Sequence, residues 1–99
     1  MRPEEIVTPQ AALLRVLFGG ETDAPEIVRK IRDWTEGQVD LDEPAFAATV
    51  LALQDAGLVE RHQGAPDKRT GEVPVTYALT QAGHASAVEI LADSLTRKP

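Results

Sequence analysis

Few residues in this 99-residue chain have the chemistry to make a reaction centre. His62 and His84 are its two imidazoles, and neither has a carboxylate at the sequence spacing of a metal site or an acid–base pair. Both are expected to be ordinary surface histidines. The absence of cysteine excludes disulfides, thiolate nucleophiles and cysteine-based zinc sites. No Ser, His and Asp arrangement, phosphate-cradling glycine loop or carboxylate pair is spaced for catalysis, so no enzymatic turnover, metal or cofactor is expected. What remains is electrostatic. The polar stretch GAPDKRTGE sets Lys68 beside Arg69 in what by itself reads as a solvated hairpin loop.

The overall charge opposes a polyanionic partner. The net charge is −6, which works against non-specific attraction to nucleic acid and to anionic membranes. Residues 40 to 60 hold Asp40, Asp42, Glu43, Asp55 and Glu60 and no Lys, Arg or His. Around the polar stretch, Arg61, Lys68 and Arg69 face Asp67 and Glu72, leaving a single net positive charge. No apolar run approaches the roughly 20 residues of a membrane-spanning helix, and MRPEEIVTPQ lacks a signal-peptide core. A cytoplasmic location with no membrane partner is the expectation.

The elements that must position these groups follow from periodicity. Thr8 before Pro9 reads as a helix cap with proline at the first helical position, and Gly19-Gly20 ends that helix. Asp23 caps a second helix, where Ile27, Ile31 and Trp34 share a face with Val28; this spacing predicts Trp34 in the core. Its other face carries Arg29, Lys30 and Arg32. Asp42 caps a third helix, with Phe46, Val50 and Leu53 inward and Gly57 at the exit. Alternation then replaces the helical period: Val73, Val75, Tyr77 and Leu79 form one side of a strand whose partner is LVERHQ. Pro74 places that strand at an edge or turns its own position outward. Thr80 caps a last helix, on which Val88, Leu91, Ala92 and Leu95 form an apolar stripe and Ala87 and Ile90 lie off it.

Three segments then carry a resemblance: APEIVRKIRDWTEG, FAATVLALQDAGLVE and KRTGEVPVTYALTQAGHA. In order and spacing they resemble winged helix-turn-helix proteins, most closely the PadR family of bacterial transcriptional regulators, with MarR-like winged helices next. The matching positions are Glu26-Ile27, then Val50, Leu53, Gly57, Leu58 and Val59, and finally Tyr77, Leu79, Thr80 and Gly83. Ala24-Pro25 stands where the family commonly has Gly-Tyr, and Ala47 where an aromatic is frequent.

The fold implied is mainly α with a small β-hairpin: three helices and a two-stranded wing over residues 8–80, then a C-terminal helix at 81–96. Residues 1–7 would be a flexible N-terminal segment. The resemblance implies a homodimer that binds operator DNA. Lys68, Arg69 and Arg61 of the wing, Arg29 and Lys30 of the second helix, and Ala45 and Thr49 at the exposed start of the third would face the duplex. Val88, Leu91, Ala92 and Leu95 would join the two copies, with room for a small-molecule effector between them. Because the third helix is acidic, an alternative is a protein-interaction module that docks a basic partner and leaves DNA untouched.

Overall fold

Thr8, Asp23 and Asp42 each accept the backbone N–H three residues on, at 3.1, 3.1 and 2.9 Å, and a helix starts after each. In the computed structural model these are α1 (Pro9–Phe18), α2 (Ala24–Trp34) and α3 (Glu43–Asp55). The structure describes residues 8–96, with side chains as far as residue 91. The expected flexible segment 1–7 lies outside that range. A proline in the first turn of each helix loses nothing, because its missing N–H would have had no helical partner there.

The three helices close on one apolar core. Leu13, Ile27 and Ile31 are fully buried, and Phe46, Val50 and Leu53 join them from α3. Trp34 corrects its expectation. It stands at the last position of α2, 36% exposed, with the Arg15 guanidinium 4.6 Å from its ring centre. The helical period puts it on the side of Ile27 and Ile31, but at the helix end the next residue, Thr35, takes the buried place, and the indole stacks on a cation at the rim.

Between α2 and α3 the chain turns through two successive left-handed residues, Glu36 and Gly37. Thr35 holds this turn from inside. Its hydroxyl, fully buried, donates to Ile31 O at 2.7 Å and accepts Val39 N–H at 3.0 Å. Thr35→Val keeps the shape and strands the Val39 N–H away from water, so unfolding should become easier by about 1–3 kcal/mol. Urea denaturation measures this, and an unchanged midpoint would show that the Val39 amide finds another partner.

The hairpin pairs β1 (Val59–Gln63) with β2 (Val75–Leu79), antiparallel, with Arg61 opposite Tyr77 and His62 opposite Thr76. Val73, expected within the strand, lies before it and is 43% exposed, because Pro74 interrupts the ladder ahead of Val75. Thr22 adds a bridge on the far side of β2: its N–H and C=O exchange hydrogen bonds with Tyr77 at 3.2 and 2.8 Å. The wing is thereby fastened to the α1–α2 connection.

Thr80 then links the end of α3, the hairpin and α4 (Gln81–Thr96). Its hydroxyl donates to Gly57 O at 2.6 Å and accepts Gly83 N–H at 3.0 Å, while its own N–H donates to Leu58 O at 3.0 Å. Gly83 and Ala87 are buried against the body and Ile90 is half-buried against it. The residues off the apolar stripe of α4 therefore make its core contact. Of the stripe, Val88 is 45% exposed and Leu91 is half-buried; the Ala92 and Leu95 side chains lie outside the described residues.

Candidate nucleic-acid interface

The wing tip is a built turn. The Asp67 carboxylate accepts the N–H groups of Arg69 and Thr70 at 2.7 and 3.0 Å, while its own N–H donates to Glu72 O at 2.7 Å and its carbonyl accepts the Gly71 N–H at 2.8 Å. The Arg69 N–H first, and then that of Thr70, hold the Asp67 carboxyl below its ordinary range. Read from sequence, Asp67 only offsets the neighbouring cations; in the structure it shapes the loop that displays them. Lys68 and Arg69 sit at the apex and are exposed. Among the described residues, the ion pairs involve Arg29 and His62, which leaves the tip cations available to a polyanion.

Arg61 is also exposed and shares a hairpin face with its cross-strand partner Tyr77. Tyr77 meets Phe46 of α3 edge-on, with ring centroids 5.6 Å apart, so this is the hairpin face turned toward α3. On α2, Arg29 is clasped by Glu26 at 2.5 Å and Asp33 at 3.2 Å, which raises its pKa, chiefly through the Glu26 hydrogen bond. Much of its charge is answered within its own helix. Lys30 beside it is exposed.

Helix α3 departs most from the expected interface. Thr49 is buried, and its hydroxyl donates to Ala45 O at 2.8 Å; Ala45 is half-buried against the core. Neither projects outward. At 100° per residue Thr49 falls on the side of Phe46, Val50 and Leu53, and Ala45 on its edge. The outward line is Pro44, Ala48, Leu51 and Asp55, flanked by Ala47 and Ala52, all exposed. Sequence reasoning missed Leu51, which is 57% exposed at the middle of this face. Its signal was present, since the buried residues fix which side of the helix remains.

An open groove of about 540 Å³ separates α2 from α3. Phe46, Tyr77, Val28 and Leu41 give it an apolar floor, and Arg32, Asp42 and Glu43 stand at its rim. Ala24 and Pro25 line it at the positions where the resemblance leads one to look for Gly-Tyr.

On the opposite hairpin face His62 has, besides its strand neighbour Glu60, a carboxylate partner from far along the chain, Glu21. Its Nδ1 lies 2.9 Å from Glu21 Oε2 and its Nε2 3.5 Å from Glu60 Oε1, and the Thr76 hydroxyl donates to the same Glu21 oxygen. Among the described residues no cluster is suited to a metal ion. Glu21 raises the His62 pKa, first through the shared hydrogen bond; Thr76 and then His62 lower that of Glu21. His62 thus supports the folded wing fully below the ordinary histidine value of 6.5, and the support is lost as pH rises through its higher folded value. Glu21 contributes above its ordinary 4.5 and loses that contribution as pH falls through its lowered value. The latch is strongest between those two ordinary values. An NMR titration should place the His62 midpoint above 6.5, with Glu21→Gln returning it to the ordinary range; indifference to Glu21→Gln would remove the latch.

Three helices, a pinned hairpin and a flanking fourth helix make this a winged helix-turn-helix fold. Among solved structures it is similar to a transcriptional regulator from Clostridium thermocellum, with a TM-score of 0.70 at 17% identity over 87% of this chain and 81% of that one. RosR of H. salinarum aligns with a TM-score of 0.69 at 23% identity, covering 96% and 79% of the two chains. Bacillus subtilis PadR in complex with operator DNA gives 0.68 at 19% identity over 91% of this chain and 48% of that one. No family model and no curated protein sequence matches the chain. The fold is accordingly the PadR-like winged helix, and no helix among the described residues is long and apolar enough to cross a membrane.

Proposed function

We propose that this chain is a PadR-like transcriptional regulator of the bacterial cytoplasm that binds operator DNA as a homodimer. The observation that carries the reading is the wing: a hairpin fastened to the head by the Thr22 bridge, presenting Lys68 and Arg69 at an exposed tip. The likeness to PadR, solved with operator DNA, supports it. In this reading residues 8–80 form the DNA-binding unit, with Lys68, Arg69, Arg61 and Lys30 on phosphates and Arg29 contributing less because of its own ion pairs. Residues 81–96 form the dimerisation helix. Gly83 and Ala87 are committed to the body, which leaves the side bearing Val88 and Leu91 for a second copy.

The acids of α3 favour a second reading, an interaction module that docks a basic protein surface through this helix. A salt series on the DNA upstream of the chain's own gene separates the two. A regulator binds at low salt and weakens with a log–log slope near −0.9 per phosphate neutralised, so a dimer with Lys68, Arg69, Arg61 and Lys30 of each copy on phosphates should approach about −7. Light scattering at the same concentrations should give twice the mass of one chain. No binding at low salt would transfer the assignment to the interaction module.

A further inference from the structure

We infer that α3 reads thymine through its methyl group. The inference rests on the DNA-binding reading above and names what the third helix recognises within it. The outward face of α3 consists of Pro44, Ala47, Ala48, Leu51 and Ala52, with Asp55 at the end, and Leu51 is 57% exposed at its centre. No exposed side chain on this face can donate a hydrogen bond; the nearest amide, Gln54, is half-buried at its flank in the last turn. Guanine, which offers only acceptors in the major groove, therefore has no partner here. Thr49, the one hydroxyl near this surface, is turned inward onto Ala45 O. Asp42 is engaged by the Ala45 N–H that it caps. Asp55 at the end of the face can only accept, from an amino group of cytosine or adenine; what the apolar length of the face from Pro44 to Ala52 can meet favourably is the C5-methyl of thymine.

The position of the face agrees with the rest of the interface. Phe46, on the buried side of α3, touches Tyr77, and Tyr77 shares its hairpin face with Arg61. Cations on the wing and α2 therefore supply the attraction to phosphates, and α3 supplies discrimination with little affinity of its own. The acids at its two ends, Glu43 and Asp55, add repulsion toward any duplex and raise the share of binding that must come from well-placed methyl contacts.

The test starts from the full chain selecting duplexes from a random library at low salt. In the enriched site each thymine is then replaced singly by deoxyuridine, which removes the methyl and keeps the base pair. One or more thymines in each half-site should lose about fourfold in affinity on losing the methyl, with the salt slope unchanged. Leu51→Ala should abolish that sensitivity at the thymine nearest its side chain, and because Leu51 is exposed the variant should melt like the parent. An enriched site indifferent to every uracil replacement overturns the inference and leaves DNA binding standing. So does thymine sensitivity that Leu51→Ala does not alter, together with Ala48→Gly. If no duplex is enriched at all, the DNA-binding reading falls and this one with it.

Discussion

Gly83→Ala should unfold the protein at a temperature roughly 15 °C lower than the parent. A Cβ at position 83 would lie 1.8 Å from the Leu58 carbonyl oxygen and 2.8 Å from its carbon. Both are backbone atoms, so no side chain can swing aside. The Leu58 oxygen already accepts the Thr80 N–H at 3.0 Å, and the Thr80 hydroxyl accepts the Gly83 N–H. Relief of the clash must lift α4 from the start of the wing and carry Ala87 out of the core with it. Overpacking of this kind costs about 3 kcal/mol when the obstruction cannot move. Gly37→Ala is the control: there is open space at its Cβ position, and only its positive φ opposes the change, a cost of about 1 kcal/mol. Thermal melting followed by circular dichroism compares the two. Equal losses would show that the approach to Leu58 has no special consequence.

Replacing Lys68 and Arg69 together by alanine should weaken DNA binding on the order of a hundredfold at low salt and flatten the salt dependence by about four in a dimer. The tip is exposed and its turn is made by the Asp67 carboxylate and by backbone groups, so the loss should come without unfolding. Because phosphates are common to all sequences, specific and random duplexes should weaken by the same factor. A change in sequence preference instead would mean that the tip reads bases. Unchanged affinity would exclude the wing from the interface.

The chain encodes these two sites differently. The cap residues Thr8, Asp23, Asp42 and Thr80 were legible because each acts on an N–H three residues away, a relation fully contained in the sequence. The exposed Lys68-Arg69 pair was legible for a related reason: a polar loop between alternating strands has to run over the surface. The Tyr77 to Gly83 signature was readable as a pattern, and the contact with the Leu58 carbonyl gives its glycine a physical cause.

The sequence by itself determined the order of the elements, where each helix starts and the display of two cations on a hairpin tip, since all of these rest on short-range hydrogen bonds and on hydrophobic period. Tertiary structure alone decided which face of α4 met the body and which groups distant along the chain came together. It put Ala87 of α4 on the core and left Val88 outside, set Trp34 at the rim beside Arg15, and brought Glu21 to His62. A helical period specifies that a face exists, and the direction that face takes depends on packing against residues distant along the chain, which local rules do not contain.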